Sequence, residues 1–397
     1  MGKDNILKWV WLTTAMGITP EKIASLLNKF NDIDEIYNAD EKDYKDIELI
    51  QKRDIGILCD KDTKRAEKII EDTKKCGGYV ITIDSSDYPE GLKYISSPPY
   101  VLYVKGELRL SDKMLGIGVV GTRKVSDYGE EVTRKFSFEL ARNGFTVVSG
   151  LALGVDAIAA SAAISAGGNT IAVLGCGLER DYPKANRDLR KNIEKYGAVV
   201  TEYPIGTQPL PSNFPQRNRI IAGLSECVLV TQAPKKSGAL ITATYASDMG
   251  KEVFCVPASI FDVNSQGNND LIKSGATPVT APGEISEFYK YQLKDFSPNE
   301  PRGEMEIPKP KQKKTIKQAI EKIKEKIIKP SINDERYKNL DETQKIIMEV
   351  IIENEKISVD ELIRKTNIAP AKIGATLSLM EMTGVVKRLP GNFYVIS

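Results

Sequence analysis

From about residue 110 to 290 the chain alternates short apolar, largely β-branched runs with longer stretches in which apolar residues recur at helical intervals. The runs are LGIGVV (115–120), FTVVSG (145–150), TIAVLG (170–175), AVVTE (198–202), CVLVTQ (227–232) and EVFCVP (252–257). Between the first two, Val132, Phe136 and Leu140 fall at i, i+4 and i+8, the spacing of one helix face. Short runs that are apolar at nearly every position suit strands buried on both faces. Strand and helix alternating six times therefore predict an α/β domain built on a doubly wound, mainly parallel sheet.

The pattern changes on either side of this domain, which with its N-terminal extension is assigned to residues 76–290. Residues 1–75 carry lysines and acids at helical spacing, and in TPEKIASLLNKF the pair Thr19-Pro20 reads as an N-cap followed by proline at the first helical position. They predict a helical domain with a slightly acidic surface. Residues 291–337 read as a linker, with nine lysines against two glutamates between Lys309 and Lys329. Ile316, Ile320, Ile323 and Ile327 would form one face of an amphipathic helix there. A solvated tether and an electrostatic nucleic-acid contact both stay open for that run. Residues 338–397 read as three helices and a hairpin: LDETQKIIMEVI with an Asp341 cap, SVDELIRKT, APAKIGATLSLMEMTG with Ile373, Leu377 and Met380 stacked, and VVKRLPGNFYVIS turning at Pro390-Gly391. That order predicts a winged helix. Its charges balance and Lys372 is the one cation of its third helix, so groove reading, protein contact and autoregulation all remain open.

Composition narrows the chemistry. Hydrophobic residues make up 41% of the 397, and no apolar run approaches the roughly 18 residues that cross a bilayer. The start, MGKDNILKWVWLTT, lacks the small-residue cleavage site of a signal peptide, so a cytoplasmic protein without membrane contact is expected. The chain has no histidine, which removes Ser-His and Cys-His nucleophile pairs, histidine metal sites and the commonest general base. Five scattered cysteines without C-x-x-C spacing indicate neither a disulfide framework nor a zinc site. With a net charge of +2, any nucleic-acid partner has to be read from local clusters rather than from the total.

The stretch GIGVVGTRK (116–124) contains a G-x-G-x-x-G, yet it does not read as a dinucleotide site. In such a site the glycines lie in the turn after the strand and open the helix. Here Gly116 and Gly118 fall inside the strand, only Gly121 reaches the turn, and the helix begins later, near Gly129. The second strand also ends in Ser149-Gly150 instead of the acidic residue that holds a ribose. No cofactor, metal ligand or catalytic residue is assigned.

Ligands of open parallel sheets sit beyond the carboxyl ends of the strands, so the residues following each run belong together. They are Gly121-Thr122-Arg123-Lys124, Ser149-Gly150, Gly175-Cys176-Gly177, the loop YPIGTQPLPSNFPQRNR and the loop APKKSGALITA. Glycines and serines at helix starts expose backbone donors, and Arg123, Lys124, Arg217, Arg219, Lys235 and Lys236 add positive charge suited to phosphates. In NFPQRNR, Phe214 stands between Asn213 and Pro215 and just before Arg217-Asn218-Arg219. A base stacked on the ring with arginines on its phosphate is how single-strand binders work. From this stretch alone, a core role for Phe214 with the arginines in surface ion pairs is equally open.

The ordered blocks DYPEGLKYISSPPYVLYVKGEL (87–108), GVVGTRKVSDYG (118–129), VVSGLALGVDA (147–157), TIAVLGCGLERDYPKANRDL (170–189), NFPQRNRIIAGLS (213–225) and SGALITATYA (237–246) resemble the DNA-processing protein A (DprA/Smf) family over nearly the whole chain. The resemblance implies a Rossmann-like domain, an N-terminal domain of SAM or helix-hairpin-helix type and a C-terminal winged helix. It also implies a non-enzymatic protein that binds single-stranded DNA, shields incoming strands in natural transformation, loads the RecA recombinase and forms a homodimer through the Rossmann-like domain. It places Arg123, Phe214 and Arg217-Asn218-Arg219 in the DNA pocket, with Ser237 and Gly238 at its edge. The chain departs from the family pattern at Leu153, where members often carry arginine, at Ala160, where they carry histidine, and at Pro211, where many carry lysine. Lys235 or Lys236 is the expected compensation. The competing reading is a phosphoribohydrolase-type nucleotide hydrolase using Asp156 or Glu202; a transcription factor built on the winged helix is weakened by that domain's neutral charge.

Overall fold

The computed structural model describes residues 3–108, 115–293, 296–303, 340–354, 356–389 and 391–396. The main sheet has nine strands: β1 (Tyr79–Thr82), β2 (Val101–Gly106), β3 (Leu115–Val120), β4 (Phe145–Ser149), β5 (Thr170–Val173), β6 (Ala198–Thr201), β7 (Cys227–Val230), β8 (Glu252–Cys255) and β9 (Thr277–Pro278). Their order is β1-β2-β6-β5-β4-β3-β7-β8-β9. β1 and β2 join antiparallel, and every neighbour from β6 to β9 is parallel. All six apolar runs read from the sequence are strands, whereas β1, β2 and β9 come from outside that pattern.

Helices α1 (Lys3–Met16), α2 (Pro20–Lys29), α3 (Ile33–Asn38), α4 (Lys52–Cys59) and α5 (Lys64–Lys75) precede the sheet, and the short α6 (Glu90–Lys93) lies between β1 and β2. The remaining α-helices of this unit are α7 (Asp127–Arg142), α8 (Val155–Ser165), α9 (Arg187–Tyr196), α10 (Asn213–Gly223), α11 (Gly238–Asp248), α12 (Gln266–Lys273), α13 (Pro282–Phe288) and the short α14 (Lys290–Leu293). Alternate strand residues point to opposite faces, and both faces are covered. Ile117, Val119, Val147 and Leu229 pack with Phe136, Val155 and Ile285 on the side of α7, α8 and α13. Val120, Val148, Val228 and Val230 pack with Ile220, Ile221 and Ala243 on the side of α10 and α11.

The N-terminal helices share a core with the sheet. Trp9 stacks on Tyr100 with ring centroids 5.5 Å apart, and one apolar cluster runs from α1 through Tyr103 to Leu174 and Val199. Thr19 occupies the position expected before α2, but its Oγ1 donates back to the Met16 carbonyl at 2.7 Å instead of capping the helix.

Part of the stretch read as a linker is a docked strap. Arg302 donates its backbone N–H to the Ser165 carbonyl at 2.9 Å and its Nη1 to the Gly168 carbonyl at 2.8 Å. Its guanidinium lies 4.4 Å from the Tyr196 ring centroid, and Asn299 Nδ2 donates to the Gly167 carbonyl at 3.1 Å. Those partners sit just ahead of β5 and β6, at the amino ends of these strands, opposite their carboxyl ends. The lysine-rich run and its isoleucine spacing lie outside the described residues.

Residues from 340 onward belong to a second unit. Helices Glu342–Asn354, Val359–Thr366 and Pro370–Met382 are joined by a three-stranded sheet, Ile357–Ser358, Val386–Leu389 and Phe393–Ile396. Asp341 Oδ1 accepts the Gln344 N–H at 2.8 Å, and Ile373, Leu377 and Met380 are buried together. This is a winged helix.

The glycine motif is explained by packing. A Cβ on Gly116 would overlap the Leu224 carbonyl at the end of α10, one on Gly118 would meet Val228 Cγ2 at 3.0 Å, and one on Gly121 would meet the Gln232 carbonyl at 2.7 Å. The first two glycines let β3 lie close against α10 and β7. Gly116→Ala is expected to lower the unfolding free energy by about 1–3 kcal/mol in urea titrations, as overpacking does. Gly283→Ala, on α13 with nothing within 4 Å of the added atom, should be neutral or slightly stabilising.

Candidate functional site

β3 and β7 are neighbours, but the sheet continues from β3 toward β4 on one side and from β7 toward β8 on the other. The loops at their carboxyl ends therefore part, which opens a crevice at the switch point of the sheet. A cleft of about 530 Å³ occupies it. Thr122, Arg123 and Lys124 line it from the β3 loop, Phe214, Arg217 and Asn218 from α10, and Lys236, Ser237 and Gly238 from the start of α11.

The β3 loop is pinned by a fully buried amide. Thr122 N–H donates to the Gln232 carbonyl at 2.7 Å, Ser126 N–H donates to Gln232 Oε1 at 2.9 Å, and Gln232 Nε2 donates to Ser126 Oγ at 2.8 Å. Arg123 and Lys124 thus project from a fixed turn, and both are exposed. The NFPQRNR run is not the tail of a loop: it opens α10, with Pro215 in the first turn, where a missing N–H costs nothing. That helical phase decides which side chains meet the cleft.

Phe214 is half-buried, its ring centroid 5.9 Å from the Arg123 guanidinium carbon, 5.8 Å from that of Arg217 and 5.4 Å from the Tyr182 ring. Arg217 is buried. It donates Nη1 to the Gly150 carbonyl at 2.9 Å and to the Val173 carbonyl, and Nε to Asn218 Oδ1 at 3.1 Å. Asn218 Nδ2 then donates to the Gly238 carbonyl at 3.1 Å. A Cβ on Gly150 would overlap the Arg217 guanidinium, so a side chain at this position would displace that group from its carbonyl partners. Asp156 lies beside them, its Oδ2 accepting the Gly150 N–H at 2.9 Å and the Ala152 N–H at 3.3 Å. Burial pushes its carboxyl above the usual range, against the pull of Arg217 and those two donors.

The structure thus gathers Gly121, Thr122, Arg123, Lys124, Phe214, Arg217, Asn218, Ser237 and Gly238 on one cleft, with Gly150 and Leu153 lining a recess of about 70 Å³ beside it. Four other expected positions do not line either space. Ser149 is fully buried under the rim. Asn213 turns inward and donates Nδ2 to the Gly175 carbonyl at 3.0 Å. Arg219 is buried in a two-pronged pair with Glu202, at 2.7 and 2.6 Å, because the helix turns it away from Phe214. Lys235 faces Asp270 at 3.7 Å, and Lys236 stands at the cleft in its place. Pro211 lines the cleft, whereas Ala160 is packed inside α8.

One cleft residue escaped the sequence reading. Tyr182 lines both the cleft and the recess. Its signal was an aromatic in the loop after β5, on the same rim. The two carboxylates considered for hydrolysis are both engaged, Asp156 by backbone donors and Glu202 by Arg219. Among the described residues no three His, Cys, Asp or Glu side chains gather to hold a metal ion, and no helix is long and apolar enough to cross a membrane.

Residues 79–290 match the family model for DNA recombination-mediator protein A, and residues 335–392 match the DprA winged helix domain. The chain is 33% identical to Protein Smf of Synechocystis over 97% of both chains, and 41% identical to the DNA processing protein DprA of Bacillus subtilis over 55% of this chain and 74% of that one. The X-ray structure of DNA processing protein A from Streptococcus pneumoniae superposes with a TM-score of 0.63 at 34% identity, covering 73% of this chain and 98% of that chain. With its α/β sheet, switch-point cleft and winged helix, the chain belongs to the DNA recombination-mediator protein A (DprA/Smf) family, and its role lies in DNA processing.

Proposed function

We propose that the switch-point cleft binds single-stranded DNA without sequence preference, and that the protein passes the bound strand to the RecA recombinase as a homodimer joined through its α/β unit. One observation carries the reading: a half-buried Phe214 ring in a cationic cleft, with an exposed guanidinium 5.9 Å and a buried one 5.8 Å from its centroid. An aromatic face accepts any base, and guanidinium and ammonium groups hold the backbone. The exposed Arg123 is free to move to a phosphate, whereas Arg217, held by carbonyls, fixes the floor. Lys124, Lys236 and the N-terminus of α11, capped by Ser237 Oγ on the Ala239 N–H at 3.3 Å, extend the anion site.

Fluorescence anisotropy of a labelled oligo-dT tests this. The wild type should bind the oligonucleotide far better than a duplex of equal length, with log affinity falling by about 0.7 per neutralised phosphate for each unit of log salt. Arg123→Ala should weaken binding and flatten that slope by about one phosphate. Wild-type protein that ignores the single strand at low salt would overturn the reading, and turnover of a nucleoside monophosphate would point to hydrolysis instead.

Phe214→Leu keeps an apolar plug but removes the ring. It should cost roughly 1–3 kcal/mol of binding with the salt slope intact, since stacking carries no charge. Arg219→Ala should behave in the opposite way. It strands a buried Glu202 and lowers stability by about 3–5 kcal/mol in urea titrations, while the protein that remains folded binds oligo-dT like the wild type.

A further inference from the structure

Tyr182 stands beside Phe214 on the cleft wall, 38% exposed, with the ring centroids 5.4 Å apart and the planes inclined by 33°. Its loop is anchored at both ends. Asn186 is fully buried and donates Nδ2 to the Leu151 carbonyl at 2.9 Å and to the Ala152 carbonyl at 3.1 Å, on the rim after β4. Arg190, also buried, donates to the carbonyls of Leu178 and Arg180. An aromatic exposed on a loop pinned in this way is presented to solvent by the fold. It is not loosely placed.

The charges around it point to what it receives. Glu179 pairs with Arg180 at 2.8 Å and Asp181 with Arg187 at 3.0 Å, so the acids of the loop are neutralised by their neighbours. Lys184, two residues beyond Tyr182, is exposed and supplies a net positive charge. An aromatic face with a cation beside it is the arrangement that takes a base and its phosphate. A base cannot lie between the two rings as they stand, because that needs them roughly 7 Å apart, twice the ~3.4 Å rise of stacked bases. One base sandwiched between the two rings is therefore excluded in this arrangement.

Resting on the single-strand reading of the cleft, we propose that Tyr182 is a second stacking platform, taking the nucleotide next to the one on Phe214, with Lys184 on the adjoining phosphate. The strand then leaves the cleft toward the β5 side of the rim. Neither residue emerges from the sequence as a DNA contact, because the ring is brought to Phe214 only by the sheet.

The test uses the full chain and a labelled oligo-dT. Tyr182→Leu should weaken binding roughly ten- to a hundredfold with the salt slope unchanged, and Tyr182→Phe should bind like the wild type. Lys184→Ala should flatten the slope by about 0.7. Tyr182→Trp adds a direct signal, since its fluorescence should be quenched on adding oligo-dT. Wild-type affinity in Tyr182→Leu, an equal loss in Tyr182→Phe, or an unquenched Trp signal on saturated protein would each overturn the proposal. Because Arg123→Ala and Phe214→Leu report on the cleft itself, those outcomes leave the single-strand reading standing; absence of wild-type binding removes both.

Discussion

A guanidinium buried beneath the cleft organises everything above it. Arg217 reaches from the first turns of α10 to the carbonyls that end β4 and β5 and to Asn218, which in turn holds the start of α11. The carbonyl ends of β4 and β5 and the starts of α10 and α11 are thereby tied to one planar group. Burying a charge is costly unless its donors are matched, and here strand-end carbonyls, left free where the sheet stops pairing, match them. The carboxylate of Asp156 supplies the counter-charge and orders the turn at Gly150 through two backbone donors. Phe214, three residues before Arg217 on the same helix, is carried into the cleft by this anchoring.

The parallel sheet was legible because strands covered on both faces need apolar side chains at consecutive positions, and LGIGVV, CVLVTQ and EVFCVP state this directly. β1 and β2 escaped because they pair antiparallel beyond β6, outside the strand-helix rhythm, and β9 is only two residues long. The glycine spacing misleads as a motif and informs as packing, since Gly116 is required by a carbonyl of α10 rather than by a ligand. The strap at Asn299 and Arg302 read as linker because its polar groups satisfy backbone carbonyls at the ends of other elements, a use that leaves no periodicity.

At the site, the legible residues were those that reach the cleft because they directly follow a strand or its loop: Gly121 to Lys124, and Ser237-Gly238. The illegible part was helical phase. Read as a loop, Arg217, Asn218 and Arg219 are equivalent cations and amides. As the start of α10, Arg217 points beneath the cleft and Arg219 points to Glu202, a partner 17 residues away. Tyr182 was hidden for the complementary reason, since its neighbour Phe214 lies on a helix after a different strand and only the sheet's order makes the two adjacent.

The electrostatics of the floor also bear on the proposal that this cleft binds a strand and does not hydrolyse a nucleotide. A carboxylate beside a phosphate site repels the phosphate unless its charge is balanced, and a hydrolase accepts that penalty because it needs the free oxygen for proton transfer. Here Asp156 is buried, which pushes its carboxyl above the usual range against the pull of Arg217, the Ala152 and Gly150 amides and Arg123, and one of its oxygens is held by those two amides. Glu202 is removed altogether by Arg219. The cleft is left with a positive floor, the cations Lys124 and Lys236 on its walls, and an aromatic ring whose attraction for a base is indifferent to which base it is.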